Sequence, residues 1–221
     1  MKLLEQVMSI DTIFFEFLGY SMSYIEFIGT LLGLASVWLA TKANILTWHT
    51  GLLNAIAFFA IFYQIQLYAD MLLQVFFFSA GIYGWITWQN KEKMNAEKIT
   101  VLETNHLLAW LFAIGFMIFA IGRFNASIHN FFPVVFKEPA SYPYWDAFTT
   151  AFSIAAMVLM AQRKIESWIF WILVDVVAIV LYYLKGVKFI SLEFAIFLVL
   201  SIIGFREWHK YYKNNTTLGA I

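Results

Sequence analysis

The chain has 221 residues, of which 62% are hydrophobic and 20% aromatic, with 13% charged and a formal net charge of zero. A soluble domain carries about a quarter charged residues, so a mean hydropathy of +0.74 excludes a soluble globular domain. The scattered basic residues likewise exclude a nucleic-acid-binding surface, and the lack of cysteine excludes disulfides and thiolate chemistry.

Residues 2–20 read as a short amphipathic segment lying at the membrane interface. Glu5, Asp11 and Glu16 within it argue against a cleavable signal peptide. Seven apolar blocks follow, at about 24–42, 45–63, 69–89, 106–122, 144–162, 167–184 and 188–206, each near the length a bilayer demands. Two connections interrupt them. Residues 90–105 are charged, and residues 123–143 hold Pro133, Pro139 and Pro143 as the longest irregular stretch. The expectation is an all-α membrane protein with seven transmembrane helices.

An internal repeat organises those spans. Laying residues 24–88 over 144–208 at a constant offset of 120 matches Tyr24 with Tyr144, Trp48 with Trp168, Tyr63 with Tyr183, Gly84 with Gly204 and Trp88 with Trp208, among other identities. Each copy covers three spans, with the fourth span as a linker helix, so both copies cross the membrane in the same direction. Parallel repeats of this kind are a transporter device, with substrate held between them near mid-bilayer. The chain divides accordingly into the amphipathic segment 1–23, a three-helix repeat 24–89, a linker 90–143, a second three-helix repeat 144–208 and a cytoplasmic tail 209–221. Nine Lys and Arg fall on one side (Lys42, Lys91, Lys93, Lys98, Arg163, Lys164, Arg206, Lys210, Lys213) and five on the other. The positive-inside rule then puts the C-terminus in the cytoplasm and the N-terminus outside.

The stretch Trp168–Tyr183 carries a carboxylate, Asp175, near the centre of an apolar span. Trp168, Trp171, Asp175, Ala178 and Tyr182 follow at steps of three and four and share one helical face. An ionisable group there costs about 2.5–3.5 kcal/mol on insertion scales, so it faces protein or a water-filled cavity. Two indoles beside an anion suit a flat aromatic cation. The structural alternative is that Lys185 or Lys188 snorkels inward to pair with Asp175. Asn54, Gln74 and Glu193 are further polar groups at depth, able to bond a carboxamide or hydroxyl or simply to join helices. Trp48 and Trp168 begin their spans and are candidates for the pocket or for the aromatic belt. Trp171, one turn deeper, is the better stacking candidate. His49, His106, His129 and His209 have no metal-ligand spacing. With no nucleophile–base pair and no glycine-rich phosphate loop, the sequence points to no enzyme, no metal and no cofactor.

Gly51-Leu-Leu-Asn54, Tyr63-Gln-Ile-Gln-Leu-Tyr68, Leu72-Leu-Gln-Val-Phe-Phe-Phe78 and Ile82-Tyr-Gly-Trp85 resemble the characteristic stretch of the PnuC vitamin transporters. Tyr144-Trp-Asp146, the Trp168-x-x-Trp171 pair, Ser191-Leu-Glu193 and Arg206-Glu-Trp208 extend the likeness over residues 24–208. The resemblance implies a three-plus-one-plus-three helical fold similar to SWEET sugar transporters and a homotrimer in the bacterial inner membrane. It also implies uptake of nicotinamide riboside by facilitated diffusion, with phosphorylation in the cytoplasm trapping the vitamin. Thiamine is the alternative substrate, since similar transporters carry it. The Trp-x-x-Trp pair, Asn54 and Gln74 match pocket positions of the family. Position 175 is Asp where Asn also occurs, and Gly81 stands where a polar side chain also occurs. An ion-coupled carrier, a non-transporting receptor and an intramembrane enzyme are the readings from other classes.

Overall fold

A computed structural model of the chain describes residues 7–17, 20–64, 68–93, 99–131, 141–186 and 188–218. Residues 1–6 of the N-terminal segment, the 94–98 part of the charged connection, and Pro133 and Pro139 lie outside the described residues. The elements are strands β1 (Ile13–Phe17) and β2 (Tyr20–Ser23), then helices α1 (Tyr24–Thr41), α2 (Leu46–Gln64), α3 (Tyr68–Lys93), α4 (Thr104–Phe131), α5 (Pro143–Ala161), α6 (Glu166–Leu184) and α7 (Lys188–Leu218). All seven helices are long and apolar enough to cross a membrane. Two compact units divide the chain, Met1–Glu97 and Lys98–Ile221.

The N-terminal segment departs from the all-helical expectation. Its residues 13–17 and 20–23 form an antiparallel pair in which Phe15 faces Met22, Glu16 faces Ser21 and Phe17 faces Tyr20. Ile13, Phe14, Phe15, Phe17 and Tyr20 are β-branched or aromatic, the residue types that favour a pleated surface over a helix. The hairpin passes directly into α1 through a capping box. Ser23 Oγ accepts from the Glu26 N–H, and the Glu26 carboxylate accepts from the Ser23 N–H at 2.8 Å, which satisfies two donors that a helix start leaves open. Tyr20 adds a hydroxyl to the same carboxylate at 2.7 Å. Gln64, at the far end of α2, holds the segment from below: its Oε1 accepts from the Ile10 N–H and its Nε2 donates to the Met8 carbonyl.

In the first unit α2 packs against both α1 and α3, and in the second α6 packs against both α5 and α7, with α4 against α5. A middle helix that touches two neighbours must bury two faces. On α6, Phe170 and Val174 join Ala151, Phe152, Ala155, Ala156 and Leu159 of α5 and Ile114 of α4 in one apolar cluster. The other face meets α7.

Two helices outrun the expected spans. α4 continues from the expected end at 122 to Phe131, and α7 continues through the expected tail to Leu218. Polarity ends a membrane span without ending a helix, because the backbone bonds remain available. Between 123 and 131 there is no Gly or Pro, and Pro133 follows two residues beyond the last helical residue, where a helix is expected to stop. Residues 209–218 likewise lack a breaker until Gly219.

The turns before α2 and α6 are built alike. Ala43 and Arg163 occupy the left-handed region, with φ of 50° and 61°. Asn44 N–H bonds the Leu39 carbonyl as Lys164 N–H bonds that of Leu159, and Ala43 to Ala40 corresponds to Arg163 to Met160. These are the six-to-one and five-to-two bonds of a Schellman cap. In the second unit a strap is laid over this turn. Thr100 pairs with Lys164 in a parallel bridge, the Leu102 N–H donates to Glu166 Oε1 at 2.9 Å, and Lys164 Nζ donates to the Val101 carbonyl.

Candidate functional site

The α6–α7 seam is an antiparallel register that advances seven residues at a time on both helices. Trp168, Asp175 and Tyr182 of α6 meet Trp208, Ser201 and Phe194 of α7, in that order. A seven-residue step is two helical turns, so each series stays on one face. At one end the indoles of Trp168 and Trp208 meet edge to face with centroids 5.6 Å apart. At the other, Tyr182 stacks on Phe194 at 5.4 Å. Between them lies the polar pair: Ser201 Oγ donates to Asp175 Oδ2 at 2.8 Å, and both residues are 2% exposed.

Glycine makes the indole end possible. A Cβ on Gly204 would sit 2.5 Å from the Trp168 ring, a distance no side chain tolerates. The first unit repeats the device. Trp48 meets Trp88 edge to face at 5.2 Å, and the Trp48 ring occupies the space that a Cβ on Gly84 would need. All four indoles are buried. Trp48 and Trp168, expected in the pocket or the aromatic belt, therefore have their ring faces covered by protein. Their Nε1 atoms are buried without an acceptor among the described residues. The reason is the glycine opposite each ring, which sequence spacing alone did not connect to it.

The remaining expected residues divide between the units. Asn54 is half-buried and donates from Nδ2 to the Gly29 carbonyl at 2.8 Å, joining α2 to α1. Gln74 is buried on the α3 face that also carries Gly81 and Trp88. Trp171 is half-buried and packs against the α4–α5–α6 apolar cluster. Glu193 is half-buried on the first turns of α7. Lys185 is not the partner of Asp175: its Nζ forms a 2.7 Å ion pair with Asp146 of α5 and lies 5.7 Å from the Tyr182 ring centroid. The side chain of Lys188 lies outside the described residues. Three or more His, Asp or Glu able to share a metal ion do not come together among the described residues.

The arrangement gives α6 a carboxylate held on one oxygen by a neutral hydroxyl, in a mostly apolar seam that Ser191 of α7 also crosses, its Oγ donating to the Ile179 carbonyl at 2.8 Å. Such a carboxylate keeps its capacity to bond or neutralise a polar, cationic partner that enters the protein.

The family profile of the nicotinamide mononucleotide transporters matches residues 23–210. The chain belongs to this family. Its relatives include the nicotinamide riboside transporter PnuC of Escherichia coli, 35% identical over 207 residues that cover 86% of this chain and 87% of that one. The riboflavin/roseoflavin transporter RibM of Streptomyces davaonensis is 27% identical over 187 residues, 83% of each chain. A crystal structure of the vitamin B3 transporter PnuC matches with a TM-score of 0.59 at 20% identity, covering 86% of this chain and 83% of the other. That likeness concerns the fold. A nicotinamide mononucleotide transporter family member with seven helices of spanning length is a multi-pass membrane transporter.

Ser201 is the Asp175 partner that the sequence did not single out. Its signal was present: it is a lone hydroxyl in the apolar run Leu198-Val-Leu-Ser-Ile-Ile. It also stands seven residues from both Phe194 and Trp208 on one face. Only the register of α7 on α6 turns that spacing into a bond with Asp175.

Proposed function

We propose that this chain carries nicotinamide riboside into the cell by facilitated diffusion, with cytoplasmic phosphorylation trapping the vitamin. The observation that carries this reading is the 35% identity to the E. coli nicotinamide riboside transporter over 86% of the chain. The chemistry agrees with it. Nicotinamide riboside bears a flat pyridinium cation, and α6 offers a buried carboxylate at Asp175 with an indole one turn away at Trp171. Trp171 stacks on the pyridinium, a contact of about 0.5–2 kcal/mol. Asp175 stands opposite its charge, while Tyr182 and Glu193 of the same unit supply polar contacts to the carboxamide and ribose. In the first unit the reading keeps Asn54 and Gln74 as substrate-binding candidates, Asn54 through its carbonyl oxygen because its Nδ2 is already bonded.

The same reading takes residues 24–89 and 144–208 as parallel repeats joined by α4. It places the N-terminus outside and the C-terminus in the cytoplasm of a bacterial inner membrane, following the nine-to-five division of basic residues. It assigns a homotrimer, no cofactor and no catalytic activity.

The deciding measurement is calorimetric titration of the purified protein with nicotinamide riboside, thiamine and riboflavin side by side. Saturable binding of the riboside, with the other two weaker by at least tenfold, is expected. Preferential binding of thiamine or riboflavin would replace the substrate. In proteoliposomes, counterflow of labelled riboside should proceed without a membrane potential or pH gradient. Accumulation above equilibrium that a protonophore abolishes would instead identify an ion-coupled carrier.

A further inference from the structure

Asp175 poses a problem of orientation. A carboxylate on a short stem turns broadly about its terminal torsion. Inside a mostly apolar seam it has few groups to choose among, and each arrangement presents a different oxygen to a ligand. Among the described residues Asp175 accepts a hydrogen bond from Ser201 alone, through Oδ2. The bond crosses from α7 to α6 at the middle step of the seam, between the indole pair and the Tyr182–Phe194 stack. It therefore sits where both helix ends are already pinned and the hydroxyl cannot wander.

The choice of a hydroxyl has a chemical consequence. A lysine or arginine at position 201 would neutralise the carboxylate and remove its attraction for a cation. An apolar residue would leave both oxygens unheld. A serine supplies one bond to the charged form and leaves the charge in place. The first unit supplies the contrast, because the positions 120 residues earlier are Ala55 and Gly81. That seam, with the same Trp–Gly seat, closes without a polar pair, so the pair is not required to hold two such helices together.

We infer that Ser201 is a positioning residue for substrate charge: its hydroxyl fixes Asp175 through Oδ2 so that Oδ1 is the atom presented to the cationic ring. This inference rests on the reading of Asp175 as the ligand's charge partner. Ser201 itself does not touch the ligand. It sets the strength of the Asp175 contact, and with it the preference for a cationic ring over a neutral ring of the same shape.

The test is calorimetric binding of nicotinamide riboside and of its reduced, uncharged dihydro form to the full-length protein. The proteins are wild type, S201A, S201T, D175N and the S201A/D175N double variant. S201A should weaken binding of the cationic riboside about tenfold, the scale of one hydrogen bond to a charged group, and change binding of the reduced form less than twofold. S201T, which keeps the hydroxyl, should restore the preference. In the D175N background S201A should cause no further loss of preference, since the charge it positions is gone. Equal losses for both ligands in S201A, or a full loss in S201T, would overturn the inference while leaving the role of Asp175 intact. A D175N protein that binds both ligands as wild type does would instead overturn the underlying reading of Asp175. Should S201A fail to fold, S201C keeps the volume with a much weaker donor and carries the same comparison.

Discussion

The α2–α3 and α6–α7 seams share a frame and differ in what the frame encloses. Trp48, Ala55 and Phe62 of α2 correspond to Trp168, Asp175 and Tyr182 of α6. Gln74, Gly81 and Trp88 of α3 correspond to Phe194, Ser201 and Trp208 of α7. The indole–glycine end is the same in both. At the middle step one seam holds Ala and Gly, while the other holds a carboxylate and a hydroxyl. At the far step the polarity reverses, with Gln74 in the place of Phe194. The two seams thus place their buried amide or carboxylate at different levels, Gln74 at the far step of one and Asp175 at the middle step of the other. The packing that keeps two helices in register is alike in the two units, and the polar residues differ between the steps.

The same divergence occurs between the first two helices of each unit. Ser36 and Thr47 clasp each other: Ser36 Oγ donates to the Thr47 carbonyl at 2.9 Å and Thr47 Oγ1 donates to the Ser36 carbonyl at 2.8 Å. The equivalents are Ala156 and Ser167, and the buried Ser167 Oγ has no hydrogen-bond partner among the described residues. The volumes account for the change. Ser36 lies against Gly51, where a Cβ would come within 3.1 Å of its hydroxyl. Position 171, the equivalent of Gly51, is tryptophan, and its ring packs against the cluster that contains Ala156. The first unit uses a small residue and a hydrogen bond where the second uses a large ring and a methyl.

The largest expected effect strikes what the two seams share. G84A and G204A should each destabilise the protein by about 1–3 kcal/mol, because the new methyl overpacks an indole held by a second indole. G115A, where a Cβ would meet nothing within 4 Å, is the control and should not destabilise. Melting temperatures in one detergent measure all three. A G204A protein as stable as wild type would show that Trp168 can leave its seat, and would return that ring to the pocket.

A smaller effect strikes what the units do not share. Thr47→Val removes the donor of one clasp bond and should cost about 0.5–1.5 kcal/mol. Ser167→Ala removes a hydroxyl without a partner among the described residues and should be neutral or slightly stabilising. Equal destabilisation by the two changes would mean that the clasp is not what distinguishes the turns.

The smallest concerns the left-handed caps. Ala43→Gly should stabilise by about 0.5–1 kcal/mol, since glycine adopts φ of 50° without the penalty of a Cβ. Arg163→Gly relieves the same strain but removes a side chain that is 2% exposed, and should destabilise. Opposite signs at two equivalent positions would confirm that the shared turn is read differently by each unit. Stabilisation by both would show that the buried arginine adds nothing to the fold.

The sequence by itself determined the number of spanning helices, their order and most of their ends, because a bilayer fixes the length of an apolar run. The offset of 120 that sets Trp48 with Trp168 and Gly84 with Gly204 was legible there too, since Trp and Gly are rare enough for their coincidence to carry information. The sequence also located Asp175 and the helical face around it, because a charge in hydrocarbon is costly wherever the chain goes. Tertiary structure alone decided which groups meet that face. The register of α7 on α6 brought Ser201 to Asp175, and the Asp146 carboxylate took Lys185 from it. Glycine seats buried Trp48 and Trp168, although their positions at the helix starts suited a membrane belt equally well. The N-terminal hairpin was decided in the same way, since a short amphipathic stretch lacks the length to choose helix or strand without its neighbours. Periodicity fixes where a residue sits on its own helix, whereas the partner across a seam depends on how two helices slide and turn against each other, and that is set by packing summed over every step of the seam.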